Sequence, residues 1–257
     1  MSAPQPPRIS IVTVARNAAA TLQESIDSVR RQDYPAIEHI VIDGASTDGS
    51  VDIIRRNADR IAWWVSEPDG GIYDAMNKGA ARATGDWILF LNADDTLHGS
   101  DAVSSVFARA DAPWRGRLVV YGDSLMQMPS GTARLRRSKP LRTIHFKMPF
   151  IHQGVFVANE LIRRRPFDTR YRLAADYDFF REAYGRNGAG AFFHLPVCLN
   201  TFRVGGASYQ RLGLKHREFL DVIRRNEPGA WRWFYSAQYA IRCLGPERAR
   251  SLLGMEG

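Results

Sequence analysis

The chain carries only two cysteines in 257 residues, Cys198 and Cys243. They are too few for a disulfide framework, and their separation fits no zinc-ligand pattern. A reducing, cytoplasmic setting is expected. No run approaches the roughly 20 consecutive apolar residues of a membrane-spanning helix. The proline-rich start, Met1 to Arg8, has no apolar core and so does not read as a secretory signal. Two phosphate-binding signatures are also missing. There is no Gly-x-Gly-x-x-Gly opening a helix and no Gly-x-x-x-x-Gly-Lys-Ser/Thr, which excludes Rossmann dehydrogenases and P-loop NTPases. Gly-x-Ser-x-Gly and His-Glu-x-x-His are absent as well, against an α/β-hydrolase or a zinc protease. No internal repeat occurs at solenoid periods. What is present, 45% hydrophobic and 24% charged residues, is the balance of a folded globular chain.

Charge of one sign is scarce in the second half. Residues 1–129 hold 12 Lys+Arg against 17 Asp+Glu, whereas residues 130–257 hold 23 against 10. The acidic first half offers a metal and substrate site. The basic second half suits an anionic partner, such as a diphosphate, a membrane surface or nucleic acid, or is simply a solvated face.

Four short β-branched or aromatic runs read as strands: Ile9 to Val14, Ile37 to Ile42, Ile61 to Val65 and Trp87 to Leu91. Helical segments separate them. Ala19 to Arg31 places Leu22, Ile26 and Val29 on one face, Ser50 to Arg56 is a second helix, and Ile72 to Ala83 a third. This alternation predicts a mostly parallel, twisted α/β sheet flanked by helices. Further on, Leu118 to Tyr121, Gly154 to Val157 and Ala191 to Leu195 read as strands, Met126 to Arg137 as a hairpin, and Leu173 to Tyr184 as a helix.

Ligands of open α/β sheets bind beyond the carboxyl ends of the strands. Each of the four early strands ends in a polar cluster: Thr13 to Asn17, Asp43 to Gly49, Ser66 to Gly71, and Asn92 to Asp95. Asp94 and Asp95 are adjacent on extended chain and point opposite ways, so one of them reaches a metal directly. Hard carboxylates favour Mg²⁺ or Mn²⁺, whose remaining ligands come from phosphates and water.

These clusters, in this order, resemble glycosyltransferase family 2, inverting enzymes of the GT-A fold. Ile9 to Asn17 is similar to the family's first strand and turn, and Val41 to Ser50 to its Asp-rich base-binding loop. Asp69-Gly-Gly-Ile-Tyr-Asp-Ala-Met-Asn-Lys-Gly79 and Ala83 to Asp95 are similar to its sugar-diphosphate segment and metal motif. The wording is close to that of bacterial exopolysaccharide and cell-envelope glycolipid transferases. The sequence departs from the family at Asn92, where the metal motif usually begins with Asp.

The resemblance implies a nucleoside-diphosphate-sugar donor, with a UDP- or GDP-sugar as the expected partner. It places Asp43 on the base or ribose, with Thr13 and Asn17 nearby. Asp69, Asn77 and Lys78 would line the diphosphate and donor-sugar pocket. Asp94, with Asp95 beside it, would hold Mn²⁺ or Mg²⁺. His152, before a buried strand, is an active-site candidate, and Arg203, ahead of Gly205-Gly206, a phosphate contact. Asp176, in Tyr171-Arg-Leu-Ala-Ala-Asp-Tyr-Asp178, matches the family's catalytic base, and Asp178 reads as an ion pair. The implied organisation is a disordered tail (1–7), a GT-A domain (8–208, split into a nucleotide-sugar half 8–100 and an acceptor half 101–208) and a basic aromatic helical extension (209–257).

In that extension Phe219, Trp231, Trp233, Phe234, Tyr235 and Tyr239 interleave with Arg224, Arg225, Arg232, Arg242, Arg248 and Arg250. Such a mixture suits an anionic membrane surface carrying a lipid-linked acceptor. Packing on the domain, or on a second copy in a homodimer, is the competing account. A nucleotidyltransferase making nucleotide sugars, a non-catalytic nucleotide-sugar binder and a nucleic-acid-binding protein using the basic half are the alternative functions. Nucleic acid is not expected, because the strand-end carboxylates would repel its phosphates.

Overall fold

The computed structural model describes residues 6–206, 209 and 211–244. The first four residues of the proline tail, Gln5, and the extension beyond Leu244 lie outside it, including Arg248 and Arg250, as does the side chain of Arg242. Pro7 is already packed, its carbonyl accepting a hydrogen bond from the Tyr34 hydroxyl at 2.7 Å.

Among the described residues nine strands form one sheet: β1 (Ile9–Ala15), β2 (Ile37–Asp43), β3 (Trp63–Ser66), β4 (Trp87–Asn92), β5 (Thr96–Leu97), β6 (Val119–Gln127), β7 (Ala133–Arg136), β8 (Val155–Ala158) and β9 (Phe192–Arg203). The order is β3-β2-β1-β4-β8-β6-β9-β5, with β7 paired to β6. Strands β3, β2, β1 and β4 are parallel. Strands β1, β2 and β4 are buried on both faces, as their unbroken apolar runs require, while β3 at the sheet edge is half-buried. Beyond β4 the sheet is mixed: β8 runs antiparallel to β4 and β6, while β9 is parallel to β6 and antiparallel to β5. The predicted parallel character thus belongs to the first four strands, and the sheet continues without a break into the second half of the chain.

The flanking helices are α1 (Leu22–Arg30), α2 (Ser50–Arg56), α3 (Ile72–Arg82), α4 (Ser104–Phe107), α5 (Asn159–Arg164), α6 (Ala175–Asn187), α7 (Leu212–Asn226) and α8 (Gly229–Leu244). Helix α1 buries the predicted Leu22, Ile26 and Val29. Helix α3 buries Tyr73, Met76 and Ala80, which recur at helical spacing. Gly79 lets α3 approach β1: a Cβ there would meet Val12 Cγ1 at 2.3 Å. One core layer joins α3 and α6 to the sheet through Val12, Ile42, Met76, Tyr177 and Phe179. The opposite layer gathers Ile11, Leu89, Val103, Phe107 and Phe156. No helix among the described residues is long and apolar enough to cross a membrane.

Candidate active site

A cavity of about 1170 Å³ opens beyond the carboxyl ends of β1 and β4. That exceeds the roughly 300–1,000 Å³ of common small-molecule pockets and leaves room for two substrates. Six of the predicted residues line it together: Asn17, Asp69, Asp94, His152, Asp176 and Arg203. They arrive from far apart in sequence because the turns after β1, β3 and β4, the segment before β8, the start of α6 and the end of β9 all converge there.

Asp176 sits in the first turn of α6, where an anionic side chain is favoured by the helix dipole. His152 Nδ1 lies 3.0 Å from its Oδ2. The Tyr73 hydroxyl donates to Oδ1 at 2.9 Å, and the Tyr177 N–H donates to the same oxygen at 2.8 Å. Burial pushes the carboxyl up, but the His152 hydrogen bond and charge, with Tyr73 and the Tyr177 N–H, outweigh it and hold Asp176 below its ordinary value. Burial and the neighbouring Asp176 charge push the Tyr73 phenol well above its ordinary value, so it stays a donor. The far ring nitrogen of His152, Nε2, is buried without a hydrogen-bond partner among the described residues. Asp178, two residues on, is fully buried and paired with Arg165 and, at 3.0 Å, with Arg225, the structural role expected of it.

At the end of β4 the two aspartates part as the extended chain requires. Asp94 lines the cavity, while Asp95 is buried behind it and does not. Burial raises the Asp94 carboxyl, against the pull of the Arg203 and His152 charges. Burial and the charge of Asp94 push Asp95 well up. Asp95 Oδ1 accepts the Arg203 N–H at 2.8 Å, which ties the end of β9 to the end of β4. The Arg203 guanidinium meets Glu24 at 3.0 Å. Asn92 also lines the cavity, and its Oδ1 is buried with no hydrogen-bond partner among the described residues. That orphaned oxygen beside the Asp94 carboxylate is a hard donor set of the kind Mg²⁺ and Mn²⁺ take. Among the described residues no three His, Cys, Asp or Glu side chains cluster tightly enough to hold a metal alone. Phosphate oxygens would have to complete the shell.

Five predicted residues do not line this cavity. Thr13 is fully buried, because the strand pleat turns it to the face opposite Val12 and Val14, where its Oγ1 meets His39 Nε2 at 2.9 Å. Asp43 is fully buried too. It accepts from the Ser46 N–H at 2.9 Å, the Ser46 hydroxyl and the Ser66 hydroxyl at 2.7 Å, and so shapes the loop after β2. Asn77 makes a reciprocal pair with the Phe167 backbone, both bonds 2.9 Å, and fastens α3 to the second half of the chain. Lys78 points to Glu67 at 2.8 Å. Asp95 is the fifth. Asn17, at φ 50°, both lines the cavity and holds the β2 loop, its N–H donating to Ser46 Oγ at 2.7 Å and its Oδ1 accepting from Thr47 at 2.9 Å.

Tyr73 and Arg172 line the cavity but were not singled out from sequence. Tyr73 falls on the apolar stripe of α3 and reads there as core. Arg172 contacts the Gly70 carbonyl and approaches Gly71, whose φ of 122° is a glycine conformation. Its signal was proximity, four residues ahead of Asp176. With Arg16, Arg136, Lys147, Arg203 and Lys215 it lines the cavity with cations as well as carboxylates.

Residues 10–170 match the family model for glycosyl transferase family 2. The chain is 37% identical over 177 residues to a PGL/p-HBAD biosynthesis glycosyltransferase of Mycobacterium bovis (strain BCG / Pasteur 1173P2), covering 67% of this chain and 68% of the relative. Among solved structures, S. aureus TarS in complex with UDP-GlcNAc has a TM-score of 0.72 at 18% identity, covering 95% of this chain and 75% of that one. The mannosyltransferase PcManGT from Pyrobaculum calidifontis, in complex with GDP-Man and Mn²⁺, has a TM-score of 0.69 at 20% identity, covering 99% and 77%. The shared fold is the GT-A arrangement expected from the sequence.

Proposed function

This chain belongs to glycosyl transferase family 2 and is a glycosyltransferase, and we propose that it moves a sugar, with inversion, from a nucleoside-diphosphate sugar to an acceptor hydroxyl of a lipid-linked glycan or glycolipid. The family sets aside the nucleotidyltransferase reading. Relatives named for PGL/p-HBAD biosynthesis and the complexes of TarS and PcManGT with nucleotide sugars support this choice of substrates.

The observation that carries the reading is Asp176, held by His152 and Tyr73 and opening into the same cavity as Asp94. Its carboxylate is charged at neutral pH, and the His152 and Tyr73 hydrogen bonds aim it into the cavity to accept a proton. The acceptor oxygen forms a bond to the anomeric carbon, the bond to the nucleoside diphosphate breaks on the opposite face, and the hydroxyl proton passes to Asp176. Asn17 and Asp69 lie where the nucleotide would bind, with Asp43 acting from behind by shaping the β2 loop. Arg172 and Arg203 offer charge to the diphosphate. A divalent ion held by Asp94, with Asn92 Oδ1 and Asp95 next to it, would supply Lewis acidity to the leaving group.

A panel of UDP- and GDP-sugars screened by thermal shift, with and without Mn²⁺, identifies the donor. Asp176→Asn keeps the donor-induced shift but loses about 10²–10⁴-fold in turnover, whereas Asp94→Ala loses the Mn²⁺-dependent part of the shift. Undiminished turnover by Asp176→Asn would remove it as the base.

A further inference from the structure

The aromatic residues of the C-terminal helices divide into two sets. Phe219, Tyr235 and Tyr239 pack on the domain: Phe219 stacks on Tyr177 at 4.6 Å, Tyr235 on His145 at 4.8 Å, and Tyr239 is buried. Trp231, Trp233, Phe234 and Ile241 do not, being 56, 65, 49 and 54% exposed. On α8, Trp231, Phe234 and Ile241 share one face, and the buried Ser236, Tyr239 and Ala240 lie on the opposite one. The helix is therefore apolar on both sides, but only one side has a partner. An outward stripe of this size marks an interaction surface.

The charge around the stripe identifies the partner. Each acid of the described helices is engaged with the domain. Glu218 accepts the N–H groups of Arg172 and Leu173, Asp221 accepts from the Tyr171 hydroxyl, and Glu227 pairs with Arg181 and His145. The arginines Arg217, Arg224 and Arg232 are exposed, and among the described residues no carboxylate pairs with them. The Arg224 guanidinium lies over the Trp233 ring at 5.9 Å, which joins the cationic edge to the aromatic one. A symmetric contact with a second copy would bury the stripe but press these arginines against one another.

We propose that the outer face of α8, with Arg224 at its edge, docks on an anionic lipid bilayer. Indole and phenyl rings sit at the headgroup boundary while guanidinium groups meet lipid phosphates. The same helices wall the cavity with their inner faces through Leu212, Lys215, His216 and Tyr239, so docking brings the cavity close to the membrane surface. The docking stands apart from the sugar chemistry. Its use, presenting a lipid-borne acceptor, rests on the proposed transfer reaction.

The test is co-sedimentation of the full-length protein with phosphatidylcholine vesicles, with and without phosphatidylglycerol, at physiological salt. The protein pellets with the anionic vesicles and its tryptophan emission shifts to the blue. Trp233→Ser/Phe234→Ser lowers the bound fraction about tenfold with melting temperature and donor-induced thermal shift unchanged. Arg224→Gln weakens the preference for anionic over neutral lipid. Failure of the wild-type chain to pellet, or full binding by the aromatic variant, overturns the proposal. So does a dimer in light scattering that the aromatic variant dissolves, which would make this face a self-interface. Loss of transfer with lipid binding intact would count against the sugar chemistry and leave the docking standing.

Discussion

Three groups hold the Asp176 carboxylate, and they differ in what they contribute. The Tyr177 N–H belongs to the helix turn itself, and His152 supplies the largest pull. Tyr73 acts from α3 and is a positioning residue rather than a catalytic one. Tyr73→Phe removes one lowering contact, so the Asp176 carboxyl rises and protonates at higher pH. Turnover should fall roughly tenfold, in line with one charge-assisted hydrogen bond. The acidic limb of the pH–rate profile should move to higher pH while donor affinity holds. An unmoved limb in pH-dependent steady-state kinetics would show that the phenol does not act on the base. Asp94, Asp176 and His152 line one cavity, and that much was legible in the sequence because strand ends and helix starts fix where a residue lies. Thr13 faces away from the cavity, which was not legible because the direction of a single side chain is decided by the pleat and by which layer covers each face.

At the scale of elements, Gly79 shows how α3 is seated. A methyl group there would stand 2.3 Å from Val12 Cγ1 and 3.3 Å from Ile42 Cγ1. Gly79→Ala trades better helix propensity for overpacking against two core strands and should cost about 1–3 kcal/mol, read from urea midpoints. A neutral or stabilising result would mean that α3 shifts freely. Because α3 carries Tyr73, turnover should fall with stability. Most elements were legible as periodic runs, including β1, β2, β4 and α1 to α3. Strand β9 was not: the reading stopped at Leu195, yet the strand continues to Arg203. Pro196 reads as a terminator, but a register shift opposite Tyr121 to Ser124 absorbs it and lets pairing with β6 resume at Cys198. That continuation is what delivers Arg203 to the cavity. The mixed pairing beyond β4 was invisible for a similar reason, since strand direction is set by distant partners.

Across the whole molecule, stability is linked to pH through His39. It is buried between strands, and burial lowers its imidazole from 6.5 to about 4. The native state keeps it neutral, while the unfolded chain takes up the proton below about pH 6.5. Stability from this group is therefore complete above that pH and falls between about 6.5 and 4, by on the order of 3 kcal/mol in total. Urea midpoints at about pH 7.5 and 5 check this, with His39→Gln expected to flatten the difference. Equal slopes in the two proteins would remove His39 as the source. The asymmetry of charge also resolves at this scale. Asp43, Asp69, Asp94 and Asp95 of the first half stand just at or beyond strand ends, and the basic second half supplies most of the cavity's cations and the outward arginines of the last helices.

Tyr73 precedes the middle strands and Asp176 follows them, yet a single hydrogen bond joins the two. Grafting another enzyme's acceptor-recognition segment onto this nucleotide platform would transplant specificity only if the incoming aspartate still finds a phenol waiting on the resident helix. Chimeras that ignore this match would fold and take up donor, yet turn over roughly tenfold more slowly.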